Sequence, residues 1–193
     1  MAKNINYNNF TVDSTVRAGL KNQKPRCIWI TGLSGSGKTS IANELDKKLT
    51  SMNKHSFILD GDNLRQGVNS DLYFSQTDRS ENIRRTAEIA KLMTEAGLIV
   101  IVCLISPLVN QRLNAKKIFK KNIFLEVYLS TSLAECEKRD SKGLYKKARA
   151  GMIEDFTGIN SPYEAPKNPD LEINTEFTPL DDAVNLILAK ILE

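Results

Sequence analysis

The sequence predicts an α/β protein in which helices cover both faces of a central parallel sheet. Short apolar segments alternate with stretches of helical periodicity along most of the chain. Such alternation is typical of consecutive β-α units, which build parallel sheets. One segment, residues 98–105, is continuously apolar, as expected for a strand that is buried on both faces. A chain of 193 residues is long enough for one domain with a sizeable core.

A glycine-rich stretch follows the first predicted strand, residues 26–31, and opens a helix predicted over residues 38–52. It reads GLSGSGKT. Backbone N–H groups in such a turn, together with a helix N-terminus, form a site for anions. The pattern is that of a P-loop and predicts a three-layer P-loop NTPase fold, with Lys38 at the outer phosphates of a nucleotide and Thr39 on Mg²⁺. The residues expected to bind the nucleotide are Gly32, Leu33, Ser34, Gly35, Ser36, Gly37, Lys38 and Thr39.

The remaining elements are predicted from the same patterns. We expect further strands at 55–60, 98–105, 123–129 and 171–174, and helices at about 80–96, 109–121, 132–140 and after 178. Asp78 and Glu81 have the spacing of a capping box for the helix at 80–96, and Ser132 with Glu135 for the helix at 132–140. Residues 1–25 carry few large apolar side chains, so we expect an N-terminal arm there and the P-loop domain over 26–193.

Polar and basic residues are concentrated in three places after the P-loop. Residues 60–65 read DGDNLR just past the second strand, where open α/β sheets bind ligands, although a simple Asp-Gly turn is the alternative. Arg79, Arg84 and Arg85 lie near the start of a helix, where cations oppose the helix dipole. At least one of them is therefore expected to bind an anion, with ordinary surface arginines as the alternative. Residues 141–168 mix glycine, proline, basic and aromatic residues, and we interpret them as a mobile basic lid rather than a long solvated loop.

Composition limits the partners and the location. The net charge of +4 suits small anions as well as nucleic acid, but no lysine or arginine run forms a nucleic-acid tail. The three cysteines lack metal-ligand spacing and are expected to be buried thiols in a reducing compartment. No signal peptide is apparent, and the longest apolar run is too short to cross a bilayer. We expect a cytoplasmic protein without nucleic-acid or membrane partners.

Several stretches together resemble the adenylylsulfate kinase (APS kinase) family. They are GLSGSGKT at 32–39, DGDNLR at 60–65, FSQTDRSENIRR at 74–85, ISP at 105–107, KGLYKKARAG at 142–151 and FTGINSPYEAPKNPD at 156–170. The resemblance covers about residues 26–175. It implies transfer of the ATP γ-phosphoryl group to the 3′-hydroxyl of adenosine 5′-phosphosulfate (APS), giving PAPS and ADP in sulfate assimilation. It also implies a homodimer and a functional link to ATP sulfurylase.

The resemblance also assigns a set of residues around APS. Arg65 and Arg79 suit the phosphosulfate, because a guanidinium binds oxyanions through two hydrogen bonds. Phe74 and Phe156 would stack on the adenine. The full substrate-binding set is Asp60, Asp62, Arg65, Phe74, Arg79, Asn82, Ile105, Ser106, Lys142, Leu144 and Phe156, with Lys142 and Leu144 closing from the lid.

Lys38, Asp62 and Ser106 are the residues expected to act in catalysis. Asp62 could orient the 3′-hydroxyl or bind Mg²⁺ through water, and Asp60 is the competing candidate. The resemblance marks Ser106 as a phosphoserine intermediate. However, the sequence shows no evident base for it, and direct in-line transfer is the simpler mechanism. We therefore expect Ser106 to have a positioning role.

Two other functions fit the same P-loop. One is a P-loop kinase for another small anionic acceptor, such as a nucleoside monophosphate or a sugar acid. The other is a nucleotide-dependent switch without a substrate, which would hydrolyse ATP slowly and without regard to APS. The residues at 60–65 and the two phenylalanines favour an adenine-bearing, anionic acceptor.

Overall fold

The fold is built on a sheet of five parallel strands. The computed structural model describes residue 8 and residues 10–192. The strands are β1 (Arg26–Gly32), β2 (Ser56–Asp60), β3 (Ile99–Cys103), β4 (Phe124–Leu129) and β5 (Leu171–Ile173). They lie in the order β2-β3-β1-β4-β5, and every neighbouring pair is parallel. The prediction of a central parallel sheet is confirmed.

Helices lie on both faces of this sheet, because β1 presents apolar side chains to each side. Ile28 and Ile30 face one core cluster, and Cys27 and Trp29 face another. The helices are α1 (Ser14–Leu20), α2 (Lys38–Ser51), α3 (Gly61–Arg65), α4 (Gln76–Glu95), α5 (Val109–Lys117), α6 (Leu133–Arg139), α7 (Leu144–Arg149) and α8 (Leu180–Leu192). Helices α2 and α8 supply the first cluster, and α4 and α5 the second. Over residue 8 and residues 10–192, none of the helices combines the length and apolarity needed to cross a membrane.

Helix α4 begins earlier than the sequence pattern indicates. Its N-cap is Ser75, whose Oγ accepts a hydrogen bond from the Asp78 backbone N–H at 3.1 Å. The predicted capping box of Asp78 and Glu81 is wrong, because Asp78 already lies in the first helical turn. The prediction for α6 is confirmed, since Ser132 Oγ accepts from the Glu135 N–H at 3.2 Å.

The described part of the expected N-terminal arm lies against the start of strands β2 and β3. Gln23 Nε2 donates to the carbonyls of His55 and Gly97, at 3.0 and 2.7 Å, and its Oε1 accepts from the His55 N–H. Helix α1 passes so close to Gly97 that a Cβ there would lie 2.9 Å from the Arg17 carbonyl carbon. These contacts place α1 at the amino-terminal ends of the strands, whereas the P-loop lies at their carboxyl-terminal ends. The division of the chain at residue 25 stays a prediction.

The predicted lid contains a helix and a small apolar cluster of its own. Tyr145 on α7 and Phe156 are buried, and their rings meet edge to face with centroids 4.9 Å apart. The Tyr145 hydroxyl donates to the Ser34 carbonyl at 2.8 Å. In this arrangement the interior of the lid packs on the P-loop. Movement of the lid stays a prediction.

Candidate active site

The P-loop connects β1 to α2 through two glycines with left-handed backbone. Gly35 has φ of 77° and Gly37, the N-cap of α2, has φ of 94°. A Cβ at Gly35 would lie 2.9 Å from the Cys136 carbonyl oxygen, so glycine is required there on steric grounds as well. Lys38 Nζ donates to the carbonyls of Gly32 and Leu33, at 2.9 and 2.7 Å. The backbone of the P-loop therefore wraps around the Lys38 side chain and accepts hydrogen bonds from its ammonium group.

Burial determines the charge behaviour of Lys38. Loss of solvation lowers its pKa to about 8, and the carboxylates of Asp60 and Asp62 only partly oppose that effect. A bound anion would stabilise the charged form of this lysine, because its opposite charge compensates for the hydration that burial removes. The position suits the outer phosphates of a nucleotide.

Asp60 lies beside the P-loop at the carboxyl end of β2. Thr39 Oγ1 donates to Asp60 Oδ2 at 3.0 Å, and Asp60 Oδ1 accepts from the Asp62 N–H at 2.9 Å. A hydroxyl and a carboxylate oxygen are hard ligands of the kind that Mg²⁺ prefers, and Mg²⁺ usually takes only one or two protein ligands besides phosphates and water. The residue types at this position therefore fit a magnesium site.

The Asp62 carboxylate has a different neighbour. Its Oδ2 forms an ion pair with Nζ of Lys142, which lies in the lid. Both side chains are exposed, at 65% for Asp62 and 62% for Lys142. Of the two carboxylates that the sequence left as alternatives for Mg²⁺, Asp60 is thus the one in contact with Thr39. Asp62 instead joins the polar segment after β2 to the lid.

Arg65 and Phe74 form a second cluster on the same edge of the sheet. The Arg65 guanidinium carbon lies 4.6 Å from the centroid of the Phe74 ring. Its Nη1 donates to the carbonyls of Leu72 and Tyr73, at 3.0 and 2.7 Å. The Phe74 ring is 61% exposed, so it remains available to a ligand.

Arg79 bridges this cluster to the lid. Its Nε donates to the Phe74 carbonyl at 2.8 Å, its Nη1 to Thr157 Oγ1 at 2.9 Å and its Nη2 to the Asp155 carbonyl at 2.6 Å. Phe156 lies between the last two partners in sequence. Arg79 therefore brings the segments that carry Phe74 and Phe156 together.

Arg65 and Arg79 differ from the other arginines near the start of α4 in their contacts with carboxylates. Within the described residues, neither guanidinium lies within ion-pair distance of a carboxylate, and burial lowers the pKa of both. Arg84 and Arg85, by contrast, pair with Glu81, and Arg85 also with Asp71. Of the three arginines that the sequence marked on this helix, Arg79 is the one left to bind an anion.

Three other predicted residues are placed by backbone and side-chain contacts. Asn82 on α4 is buried, and its Oδ1 accepts from Asn69 Nδ2 at 2.8 Å. The Ile105 carbonyl accepts from Thr31 Oγ1 at 2.7 Å. Leu144 begins α7 and packs at the margin of the lid cluster.

Ser106 is 2% exposed, and its hydroxyl is already engaged. Trp29 Nε1 donates to Ser106 Oγ at 3.1 Å, and Ser106 Oγ donates to Thr31 Oγ1 at 3.1 Å. In the part of the chain that the structure describes, neither a carboxylate nor an imidazole hydrogen-bonds this serine. A nucleophile needs an adjacent base and an open face, so these contacts favour positioning over phosphorylation.

Sequence reasoning missed Arg139 and Thr175, which lie beside the P-loop. Arg139 donates to Thr175 Oγ1 and to the Thr175 carbonyl, at 2.8 and 2.9 Å, and Thr175 Oγ1 donates to the Ser36 carbonyl at 3.0 Å. Both residues line a cavity of about 190 Å³ at the start of α2. Arg139 also pairs with Glu135 one helical turn away, which in sequence is typical of a surface ion pair. Only the fold brings residue 175 to the same place.

Comparisons with known proteins match this geometry. The family model described as Adenylylsulphate kinase matches residues 24–174. The chain is 56% identical over 170 residues to a probable adenylyl-sulfate kinase of Halalkalibacterium halodurans, covering 88% of this chain and 82% of that protein. A solved structure, the Mycobacterium tuberculosis APS kinase CysC in complex with AMPPNP and APS, is similar with a TM-score of 0.85 and 44% identity, covering 89% of this chain and 99% of that one.

Some relatives are much longer. The bifunctional enzyme NodQ of Rhizobium tropici is 53% identical over 174 residues, which are 90% of this chain but 28% of that protein. This chain thus spans little more than a quarter of NodQ. The match of the family model to most of the chain is nevertheless sufficient to assign the family: the chain belongs to the adenylylsulphate kinase family.

Proposed function

We propose that the protein transfers the γ-phosphoryl group of ATP to the 3′-hydroxyl of APS, giving PAPS and ADP. The observation that carries the proposal is the presence of two separate cationic sites on one edge of the sheet. One is the P-loop with Lys38, and the other is the pair Arg65 and Arg79 beside Phe74. A related kinase of known structure binds AMPPNP and APS together, which supports an assignment of one nucleotide to each site.

The donor half consists of the P-loop, Lys38, Thr39 and Asp60. The loop amides and Lys38 would hold the β- and γ-phosphates, and Thr39 and Asp60 would hold Mg²⁺. When bound, Mg²⁺ neutralises charge on the phosphates. Phosphoryl transfer needs positioning and charge neutralisation more than covalent chemistry, and these residues supply both.

The acceptor half consists of side chains that suit a planar base and a phosphosulfate. Arg65 and Arg79 would bind the oxyanions, and Phe74 would stack on the adenine, with Phe156 on its other side. Asn82 lies one turn after Arg79 on the same helix and is held by Asn69. Within the described residues, no carboxylate lies within ion-pair distance of either arginine, although Asp62, Asp78 and Asp155 act on their charges from farther away. This arrangement supports an anionic acceptor.

Asp62 is the carboxylate that would orient the 3′-hydroxyl, and Lys142 would close over the substrate from the lid. Their ion pair connects these two parts of the site directly. Ser106, which is hydrogen-bonded to Trp29 and Thr31 of β1, would maintain the shape of the site rather than carry a phosphoryl group. The proposal further includes Mg²⁺ dependence, a cytoplasmic homodimer and a place in sulfate assimilation next to ATP sulfurylase.

ADP release with a panel of acceptors tests this function. The purified protein is incubated with ATP and Mg²⁺ together with APS, AMP, gluconate or no acceptor. We expect strong stimulation by APS alone, and none in the Lys38→Ala variant, which controls for contaminating kinases. Stimulation by AMP or gluconate instead would favour a kinase of another acceptor, and slow hydrolysis unaffected by APS would favour a nucleotide switch.

A further inference from the structure

We infer that Arg112 is a positioning residue that fixes both Ser106 and the carboxyl-terminal end of the lid, and so controls how APS is used. The inference rests on the proposed function, because it concerns the acceptor side of that reaction. Arg112 lies on α5, is 2% exposed and touches neither the P-loop nor the predicted APS-binding arginines by any hydrogen bond in the described residues. Its effect would therefore pass through its partners.

The guanidinium of Arg112 donates to three acceptors from three separate segments. Nη1 donates to the Ser106 carbonyl at 2.6 Å, Nη2 to the Glu164 carbonyl at 2.6 Å and Nε to Glu126 Oε1 at 2.9 Å. Glu126 lies on β4, Ser106 follows β3, and Glu164 belongs to the lid. A planar guanidinium can satisfy three such acceptors in a fixed geometry, which a lysine ammonium on a flexible stem cannot reproduce.

Ser106 needs such support because its backbone is strained. Its φ is 39°, in the left-handed region that residues with a Cβ seldom adopt. Strain of this kind persists at functional sites only when the surroundings hold it from several sides. Trp29 and Thr31 hold the side chain, and Arg112 holds the carbonyl. Without the last contact, the peptide after Ser106 would be free to turn back towards an ordinary conformation.

The same arginine fixes one end of the lid. The Glu164 N–H donates to the Pro107 carbonyl at 2.8 Å, and Glu164 Oε2 accepts from the Val109 N–H at 2.7 Å. The neighbouring Tyr163 hydroxyl lies 2.9 Å from Thr31 Oγ1, and its ring centroid lies 5.7 Å from the Arg112 guanidinium carbon. Residues 163–164 are thus bound to the ends of β1 and β3.

The other end of the lid makes contacts of two kinds. Lys142 forms an exposed ion pair with Asp62, and exposed pairs contribute little to stability. Tyr145, by contrast, is buried, and its hydroxyl donates to the Ser34 carbonyl at 2.8 Å. Residues 141–143 can therefore separate from Asp62 while residues 163–164 stay in place. Arg112 would keep Ser106 in a fixed position relative to residues 163–164 as the lid closes on APS.

A purely structural role is the competing explanation, since Arg112 and Glu126 also form a buried ion pair. Arg112→Lys separates the two explanations, because lysine keeps a charge for Glu126 but cannot donate to both carbonyls as well. Glu126→Gln is the matched control. It removes the opposite charge but keeps an oxygen for Nε and leaves both carbonyl contacts intact.

Each variant is measured for thermal midpoint, for the KM of APS and of ATP, and for emission of Trp29, the only tryptophan of the chain and a direct partner of Ser106. For Arg112→Lys we expect the KM of APS to rise by about tenfold, the change expected for loss of a hydrogen bond to a charged donor. The KM of ATP should be unchanged and Trp29 emission should shift. Glu126→Gln should lower the thermal midpoint at least as much as Arg112→Lys does. It should leave the KM of APS and the Trp29 emission unchanged.

Arg112 would be merely structural if the KM of APS and the KM of ATP changed equally in each variant, in proportion to the fall in thermal midpoint. That result would overturn the inference. So would an unchanged KM of APS in Arg112→Lys.

Hydrogen exchange of the wild-type protein tests the same inference without any variant or activity. The amide of Glu164, which donates to the Pro107 carbonyl, should exchange more slowly than the amides of residues 141–143. Equal, fast exchange throughout 141–166 would overturn the inference. Failure of the proposed function is recognised separately, as a wild-type protein that APS does not stimulate.

Discussion

Replacing Ser106 with alanine distinguishes the two roles open to this serine. The change removes the oxygen that accepts from Trp29 Nε1 and donates to Thr31 Oγ1, so a buried indole N–H loses its partner. A buried donor left unsatisfied costs about 1–3 kcal/mol. In a domain of this size that corresponds to a fall in thermal midpoint of about 2–12 °C.

The effect on activity should be modest if Ser106 only shapes the site. We expect kcat/KM for APS to fall by about tenfold, equivalent to about 1.4 kcal/mol. Loss of a serine nucleophile, by contrast, removes several orders of magnitude of activity in enzymes that depend on one. The assay is ADP release in the presence of APS, run beside a thermal melt. Ser51→Ala, which changes an exposed serine at the end of α2, is the control and should alter neither.

A loss beyond about a thousandfold with a small change in thermal midpoint would refute this reasoning, because positioning alone does not account for it. Radiolabelled phosphate that appears on Ser106 and disappears at the rate of product formation would refute it as well.

Further predictions concern the two halves of the site. Lys38→Ala should abolish turnover. In the wild-type protein, burial lowers the pKa of Lys38 to about 8. The KM of ATP should therefore rise as the pH increases through that value and the lysine loses its charge; a flat profile would contradict this. Phe74→Ala should raise the KM of APS by about tenfold, since stacking on a base contributes about 1–3 kcal/mol, and should leave the KM of ATP unchanged. Asp60→Asn should raise the Mg²⁺ concentration needed for half-maximal activity more than Asp62→Asn does, and the reverse order would transfer the metal role to Asp62.

The elements that depend only on local sequence pattern were predicted most accurately. Strand β1, the P-loop and α2 follow one another without interruption, so glycine spacing and apolar periodicity were sufficient to place them. The start of α4 was mispredicted because several residues between 75 and 81 can cap a helix, and propensity does not choose between Ser75 and Asp78.

Contacts between distant segments could not be predicted, because they depend on the order of strands in the sheet. Strand β3 lies between β1 and β2, and this arrangement sets Asp60 beside Thr39 while Asp62 points to the lid. The same limit applies to Arg112, whose partners come from three segments that no spacing in the sequence connects.

The most direct test of the two-site account is the identity of the product. After incubation with ATP, Mg²⁺ and APS, mass spectrometry and phosphorus NMR show which molecule carries the transferred group and at which oxygen. The account predicts one equivalent of ADP for each APS that gains a phosphoryl group on its 3′-oxygen. ADP without phosphorylated APS, or a phosphoryl group on any other oxygen of APS, would contradict it.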